Sequence, residues 1–416
     1  MKRVYSILLA TLLLAGCGSA PAADSTATAE STTASVSASG EPLRMLQSGD
    51  EKQYYTETTV EEAETMLQYH IIDLDSGEDS IPCDVKGCTH DTADCPAVTT
   101  KLPSTTPLVV DDNTLIALSG PYEAATLFLM DRNCQNRRDL VELDGIYPYW
   151  NTRILYTDGE ALYFFGAEND GTHLYRVTLE DGTVTDLSGG QPLESPYLGA
   201  IGRDFVLTQS DTTYPDPTGD LAADAMAHPT GTLTHVLLNI DTGETRELCS
   251  YSSDEYVLDR QYFYIVDGQY YWLDSTAGTL STVDLATGES RLLTDQLPVI
   301  APDEPPSDYQ MEANLNGWLV FYNLPLLVNA ETGEVRQRAD LPENYWNGYG
   351  HQPSIFLQLQ DRLLVDCRYE PYTRTGIDKD GTPITTETEQ MYLGLISIDD
   401  FLNGVPNYTE VCKGPY

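Results

Sequence analysis

One phrase recurs along the chain: an apolar strand, an acidic glycine turn and another short strand. Close copies are Ile71–Glu78, Leu238–Glu244, Thr282–Glu289 and Val328–Glu334, and looser copies are Leu129–Asn133, Val177–Gly182 and Ile396–Asp400. The seven copies are spaced roughly 45 to 70 residues apart. Self-similarity at such a period indicates a repeat architecture, in which each unit buries its apolar face against its neighbours.

A second hairpin lies upstream of most copies. Its turns are Asp111–Asn113, Asp158–Gly159, Arg203–Asp204, Asp267–Gly268, Asn316–Gly317 and Gln360–Asp361. Asp-Gly and Asn-Gly supply the positive φ that two-residue hairpins need. Two hairpins per unit make four antiparallel strands, the content of a propeller blade. The sequence therefore predicts an all-β fold, a β-propeller of seven four-stranded blades; six or eight blades, or two β-sandwiches, stay open as alternatives.

The ends of the predicted ring are less regular than its middle. The first unit has a weak innermost strand, which we place within Leu43–Gln47, and we expect the ring to close by sharing strands between its two ends. Helical periodicity is scarce, and only Glu61–Met66 and Leu221–Ala227 are expected to form a helical turn or two.

The first residues have the layout of a secretory signal. Lys2 and Arg3 precede the apolar stretch Val4–Leu14, and Leu14–Cys17 resembles a bacterial lipobox, in which the cysteine receives lipid and becomes the new N-terminus. The following residues are mostly Ser, Thr and Ala, a composition typical of a flexible tether. We predict a signal peptide at 1–16, lipidated Cys17 and a tether at 17–42, and one propeller domain at 43–416.

The repeat resembles TolB-like and YWTD-like propeller repeats through its apolar-Asp-x-x-Thr-Gly-Glu unit. The whole chain resembles uncharacterised clostridial-type surface lipoproteins, which carry a Cys-Cys-x-His-Cys segment after the first blade, as in Ile81–Ala97 here. This resemblance implies a propeller fold and an extracytoplasmic, membrane-anchored location, and it implies no established activity.

In that segment, Cys83, Cys88, His90 and Cys95 form the pattern C-x4-C-x-H-x4-C. Three thiolates and an imidazole match a structural zinc set, although the spacing differs from the zinc-knuckle pattern C-x2-C-x4-H-x4-C. Cys83 is also expected to end an outer strand, as Cys249 and Cys412 do. Disulfides are the main rival, as expected outside the cytoplasm, and free thiols are a third alternative. Either staple would make the segment a structural clasp between the first two blades.

A second segment, 376–387, partly matches a calcium-binding loop. Asp378, Asp380, Gly381 and Glu387 match positions of a calcium-loop template, but Gly376 and Pro383 break it. A long hairpin turning at Asp380–Gly381 explains the same residues, so no calcium site and no required cofactor are predicted.

The links between strands divide between two faces of a propeller. With strands A to D counted outward from the axis, the A–B and C–D turns lie on one face, here the tight-turn face. The B–C and D–A links lie on the other, the loop-bearing face. All long links belong to the second: 212–232 and 370–390 as B–C links, and 84–103, 144–151, 295–308 and 342–353 as D–A links.

Aromatic residues follow the same division. Two D–A links carry Tyr147, Tyr149 and Trp150, and Tyr345, Trp346 and Tyr349. Functional groups tend to lie on loops held by a rigid scaffold, so these rings are candidate ligand contacts; packing between blades is the alternative for each ring.

The formal charge of −43 excludes binding to nucleic acid through phosphates and opposes close contact with anionic lipid heads. We predict a membrane-anchored binding or sensor module for a glycan, peptide or partner protein. The alternative is an extracellular polysaccharide hydrolase or lyase, and two carboxylates converging with His, Tyr or Arg at the channel mouth would favour it.

Overall fold

The repeated phrase forms the outer turn of successive blades in the computed structural model of the chain. The structure describes residues 40–60, 63–92, 94–100, 106–120, 124–149, 155–190, 193, 195–219, 227–285, 287–301, 309–322, 324–338, 341, 344–346, 349–351, 353–377 and 383–414. Among these residues, seven antiparallel blades form a β-propeller, six of them four-stranded sheets and the third a six-stranded sheet, which confirms the predicted fold and blade number.

The strands follow the chain from blade to blade. Blade 1 contains β2 (Gln53–Val60), β3 (Ala63–Asp73), β4 (Asp79–Ser80) and β5 (Val98–Thr100); blade 2 contains β6 (Leu108–Val109), β7 (Thr114–Ser119), β8 (Ala124–Asp131) and β9 (Arg138–Asp144). Blade 3 contains β10 (Tyr147–Pro148), β11 (Tyr156–Thr157), β12 (Ala161–Glu168), β13 (Gly171–Thr178) and β14 (Val184–Asp186), joined by β1 (Arg44–Met45). Blade 4 contains β15 (Ser195–Ile201), β16 (Asp204–Thr213), β17 (Thr230–Asn239) and β18 (Thr245–Ser252).

The remaining blades continue this order. Blade 5 contains β19 (Gln261–Val266), β20 (Gln269–Asp274), β21 (Thr279–Val283) and β22 (Ser290–Thr294); blade 6 contains β23 (Met311–Leu315), β24 (Trp318–Phe321), β25 (Leu326–Asn329) and β26 (Val335–Gln337). The hairpin β27 (Asn344–Trp346) and β28 (Tyr349–His351) precedes blade 7, which contains β29 (Ile355–Gln358), β30 (Arg362–Ile377), β31 (Pro383–Ser397) and β32 (Thr409–Lys413). A short helix, α1 (Ile398–Leu402), lies between β31 and β32.

The outer turn of a blade closes on its own side chains. In blade 6, Asn329 Oδ1 accepts the Thr332 backbone N–H at 2.8 Å and its hydroxyl at 3.0 Å, while Thr332 Oγ1 accepts the Glu334 N–H at 3.3 Å. The same bonds recur in the turns that begin at Asp73, Asn239 and Asp284. Short polar side chains favour such turns because they bond the nearby backbone, which explains the repeated phrase.

The glycine of the phrase has a second role beyond its positive φ. Gly333 has a φ of 73°, and a Cβ added there would lie 1.8 Å from the carbonyl oxygen of Leu293, in the outer strand of the preceding blade. Gly182 similarly approaches Leu140, and Gly288 approaches Leu248. Glycine at this position therefore allows neighbouring blades to pack closely.

The hydrophobic core lies between neighbouring blades. Along β12, Phe164 packs towards blade 2 and Phe165 towards blade 4. Successive side chains of a strand point to opposite faces of its sheet, so a blade buried on both faces has apolar residues at consecutive positions.

Two expectations about the ring ends are wrong. Leu43–Gln47 is not the inner strand of blade 1: β1 pairs with β11 of blade 3, and it is the following residues, Ser48 and Gly49, that bond to Tyr55 and Tyr54 of blade 1. In the described part of the chain no strand is shared between the two ends; instead Ile72 and Leu74 of blade 1 pack against Leu393 of blade 7. Apolar packing of whole sheets replaces strand pairing at closure.

Other local expectations also change. Ala63–Met66 belongs to β3, because pairing with β2 and β5 satisfies its backbone, and the rest of the helix predicted at Glu61–Met66 lies outside the described residues. Most of Leu221–Ala227 is likewise outside them. The predicted 370–390 link is largely strand, paired from Glu370↔Gln390 to Ile377↔Pro383, as its many β-branched residues favour. No helix among the described residues has the length and hydropathy to span a bilayer.

Candidate metal centre and loop-bearing face

The segment 81–97, here called the knuckle, interrupts the outer edge of blade 1. It leaves after β4, which pairs with β3 at Ile71 and Ile72, and it returns as β5, which pairs with β3 at Met66–Gln68. The knuckle is thus an excursion between two strands on the same edge of β3. The prediction that Cys83 ends the outer strand is wrong, because β4 already ends at Ser80.

The knuckle brings its four metal-ligand residues together. One donor atom from each of Cys83, Cys88, His90 and Cys95 lies within 4.8 Å of the other three. The His90 Nδ1 to Cys95 Sγ distance is 3.4 Å. Cys95 is buried and the other three are half-buried, and each of the three cysteines is a free thiol. This arrangement could hold a metal ion.

The pKa values of two knuckle thiols are shifted in opposite directions. The pKa of the Cys88 thiol is lowered, chiefly because the His90 backbone N–H donates to its sulfur. Burial raises the pKa of Cys95 to about 12. A buried thiolate is costly unless a cation lies beside it, and a bound metal ion deprotonates its thiols outright. The donor set is therefore one that a metal ion could occupy.

Contacts from two blades position the knuckle. Gln68 of β3 donates to the His90 carbonyl oxygen at 2.8 Å, and Gln135 of blade 2 donates to the Pro82 carbonyl oxygen at 2.6 Å. His90 has a φ of 57°, a left-handed conformation that costs energy in any residue but glycine. Val60 and Val98 pack beside Cys95. The knuckle thus contacts both blades that it was predicted to join.

The calcium-loop residues lie in a different setting. Glu387 is in β31, opposite Thr373 of β30, whereas Asp378, Asp380 and Gly381 lie outside the described residues. The pairing that brackets them is that of a hairpin, in agreement with the interpretation made from the sequence.

The predicted aromatic contacts are only partly described. Tyr147 and Tyr149 are half-buried, with their ring centroids 6.3 Å apart. The Tyr149 hydroxyl lies 3.3 Å from Thr172 Oγ1. Trp150 lies outside the described residues. Tyr345, Trp346 and Tyr349 belong to the β27–β28 hairpin, and their side chains are outside the description.

Sequence reasoning missed a carboxylate pair at the inner edge of the loop-bearing face. Asp366, fully buried, accepts the Ser354 backbone N–H and, at 3.0 Å, the Tyr369 hydroxyl. Glu312 accepts the next backbone N–H, that of Ile355, at 2.8 Å. No sequence motif identifies these two acids, because they lie in different blades and far apart along the chain.

Comparison with known proteins gives a fold and no family. No family model and no curated protein matches the sequence. Similar solved structures include TolB from Acinetobacter baumannii, with 10% identity over 84% of this chain and 79% of TolB and a TM-score of 0.35. An oligogalacturonate lyase from Vibrio parahaemolyticus has 12% identity over 90% of this chain and 86% of its own, with a TM-score of 0.43.

A puromycin-hydrolysing peptidase of Mycobacterium tuberculosis is also similar, with 11% identity and a TM-score of 0.48 over 90% of this chain. The alignment covers 53% of the peptidase, so this chain spans about half of that protein. Likeness at this level concerns propeller architecture and carries no argument about activity.

Proposed function

We propose that this chain is a lipid-anchored extracytoplasmic binding module, of the kind found in the clostridial-type surface lipoproteins that its sequence resembles. The observation that carries the proposal is the asymmetry of the two faces. From Tyr369 to Ile377, β30 pairs with β31 beyond the last β31–β32 pair at Tyr392↔Lys413. This projecting hairpin, here called the arm, extends the loop-bearing face, where a rigid scaffold supports recognition.

The net charge and the aromatic chemistry of the chain favour some classes of ligand over others. A protein with a net charge of −43 attracts basic ligands over long distances and repels acidic ones. The half-buried pair Tyr147 and Tyr149 offers apolar ring surface beside hydroxyl groups, which suits sugars as well as peptides. A neutral glycan or a basic peptide is therefore the ligand class that we propose.

Binding of the full-length chain to arrays of neutral glycans and basic peptides tests this function. A variant in which residues 370–389 are replaced by a short turn should lose the bound ligand. The control variant Glu244→Gln, altered on the tight-turn face, should keep it. Equal binding by both variants would place recognition away from the arm.

The anchoring part of the proposal depends on Cys17. Cys17→Ala should move the protein from the membrane fraction to the soluble fraction, since two acyl chains are enough for stable anchoring and none remains. Retention of this variant in membranes would refute the lipid anchor.

We further propose that the knuckle holds a structural zinc ion. The support is the convergence of four donor atoms within 4.8 Å, three of them sulfurs, the ligands that zinc prefers in structural sites. The purified chain should contain about one zinc ion per molecule, and Cys95→Ser should contain none. The matched control Cys134→Ser, at a buried cysteine outside the knuckle, should keep its zinc. Metal-free protein with a Cys83, Cys88 or Cys95 disulfide would favour the rival staple.

Glu312 and Asp366 support a second candidate function, the polysaccharide hydrolase or lyase. The support is that Asp366 and Glu312 accept the backbone N–H groups of two consecutive residues, Ser354 and Ile355, and that Asp366 also accepts the Tyr369 hydroxyl. Cleavage of a glycan by the wild-type chain, lost in Glu312→Gln, would establish it; stable binding without turnover would exclude it for that glycan.

A further inference from the structure

The segment Leu43–Ser48, here called the strap, follows the inner strands of four blades. Its hydrogen bonds are Leu43 N–H to Gly202 O at 2.7 Å, Leu46 N–H to Leu155 O at 2.8 Å, Val109 N–H to Gln47 O at 2.8 Å and Tyr55 N–H to Ser48 O at 2.7 Å. These partners belong to blades 4, 3, 2 and 1, and each lies within a few residues of an A–B turn. The strap therefore runs along the tight-turn rim of the axial channel.

The strap is part of the core and is fixed in place. Leu46 is fully buried between blades 2 and 3, and Leu43 is buried between blades 3 and 4. Before it, the Arg203 guanidinium donates to the Glu41 carbonyl oxygen and pairs with both Asp241 carboxylate oxygens at 2.6 Å. Residues 40 and 41 thus leave the ring beside the A–B turn of blade 4, on the tight-turn face.

Four outer turns each present an exposed carboxylate on this face. The repeated phrase ends in Glu78, Glu244, Glu289 and Glu334, and all four are exposed. The Asp and Asn residues of the same turns accept hydrogen bonds from the backbone, so these glutamates are not needed to hold the turn and contribute charge to the surface.

We infer that the tight-turn face is the side of the propeller turned towards the lipid surface, and that the loop-bearing face is presented outward to ligands. The inference rests on the proposed anchor at Cys17. The tether leaves from the tight-turn face. If the opposite face were turned to the bilayer, the tether would have to pass around the rim of the ring to reach the membrane. That path leaves the tether fewer conformations and is therefore less favourable. The exposed glutamates hold the face away from anionic lipid by repulsion.

The full-length lipidated chain in vesicles tests this orientation. An azide-bearing residue placed at Glu244 or at Asp216 carries a fluorescent donor, and the bilayer contains an acceptor lipid. Both positions are exposed and belong to blade 4, one in its outer turn and the other in its B–C link. We expect energy transfer from position 244 to exceed that from position 216 by about twofold, and deletion of residues 20–34 to widen the ratio.

Salt and lipid charge test the repulsion. In vesicles with anionic lipid, raising the salt concentration from about 0.01 M to about 0.1 M shortens the screening length from ~30 Å to ~10 Å. Transfer from position 244 should then rise, and in neutral vesicles it should not change. With the donor kept at position 244, Glu78, Glu289 and Glu334 changed together to Gln should weaken this response.

These measurements distinguish failure of the proposed orientation from failure of the proposed lipid anchor. Equal transfer from both positions, or greater transfer from position 216, with the protein still bound to vesicles, would overturn the orientation alone. Transfer from neither position, with the protein free in solution, would refute the anchor. A response to salt that is equal in neutral and anionic vesicles would overturn the repulsion.

Discussion

The outer turn of blade 6 and the knuckle of blade 1 are two ways of ending a strand at the outer edge of a blade. The turn spans six residues, and the side chains of Asn329 and Thr332 satisfy its backbone. The knuckle spans 81–97 and depends on four donors brought together, with Gln68 and Gln135 as supports from elsewhere. A short link can close locally, whereas a long link with a small apolar core needs a staple.

The largest expected effect is in the knuckle. Cys88→Ser combined with His90→Ala removes two zinc ligands, and we expect cleavage by protease between Asp84 and Thr100 to become about tenfold faster or more, while the other blades stay folded. A chelator should reproduce this with the wild-type chain, and a reductant should not. Mass spectrometry of the fragments measures the rate.

Unchanged protease resistance with a wild-type melting temperature in that variant would show that the knuckle is not a clasp. Sensitivity to the reductant in place of the chelator would show that disulfides, rather than metal, make it one.

Acid should affect the repeat region through one buried group between blades 4 and 5. Burial lowers the pKa of His235 from 6.5 to about 3. The unfolded chain binds this proton below pH 6.5 and the folded chain only near pH 3, so the free energy of unfolding falls as the pH drops through this interval, by about 3 kcal/mol or more.

His235→Phe should remove much of this acid sensitivity, as measured by urea unfolding at pH 7 and pH 4. Tyr270→Phe is the control, because it removes the partner of the imidazole and leaves the imidazole in place. Equal acid sensitivity in His235→Phe and in the wild-type chain would contradict the assignment.

Alanine substitutions at two outer-turn glycines compare a turn that packs against the preceding blade with one that does not. Gly333→Ala should destabilise the protein by about 2–3 kcal/mol, because the new Cβ meets the Leu293 carbonyl oxygen and the φ is positive. At Gly243 the φ is also positive, at 70°, but the surrounding space is open. Gly243→Ala should therefore cost only about 1 kcal/mol, and equal costs at both sites would refute close packing between blades as the reason for glycine.

The smallest effect concerns the hydroxyl of the same turn. Thr332→Val keeps the shape of the side chain and removes the two hydrogen bonds of its hydroxyl, to Asn329 Oδ1 and from the Glu334 N–H, so we expect a loss of about 1 kcal/mol. Thr332→Ser keeps the hydroxyl and should stay close to the wild-type midpoint in thermal melting. A neutral Thr332→Val would mean that the turn does not need the hydroxyl and is held by its backbone and the Asn329 side chain.

The features that could be predicted from the sequence are those that depend on residues close together along the chain. The Asp, Thr and Gly of each outer turn act on atoms within a few residues, and Asp267–Gly268 and Asn316–Gly317 adopt the positive φ that their types favour. The blades could therefore be counted from the sequence. The strap could not be placed, because the partners of Leu43 and Leu46 are more than a hundred residues away along the chain.

The knuckle lies between these cases. Its ligand types were evident, but the choice between zinc and disulfide depends on distances between sulfurs, which spacing along the chain does not fix. The structure brings the donor atoms of Cys83, Cys88, His90 and Cys95 within 4.8 Å of one another. Glu312 and Asp366 went unnoticed because each acid is ordinary among 65, and only the fold shows that they accept the N–H groups of the consecutive residues Ile355 and Ser354.

The sequence by itself determined the blade, the number of blades and the chemistry of the turns, since each depends on interactions between residues close along the chain. The tertiary structure decided how the ring closes, where the strap runs, which cysteines meet His90 and on which face residues 40 and 41 lie. Those features depend on contacts between distant residues, and only the packing of apolar sheets against one another specifies which contacts form.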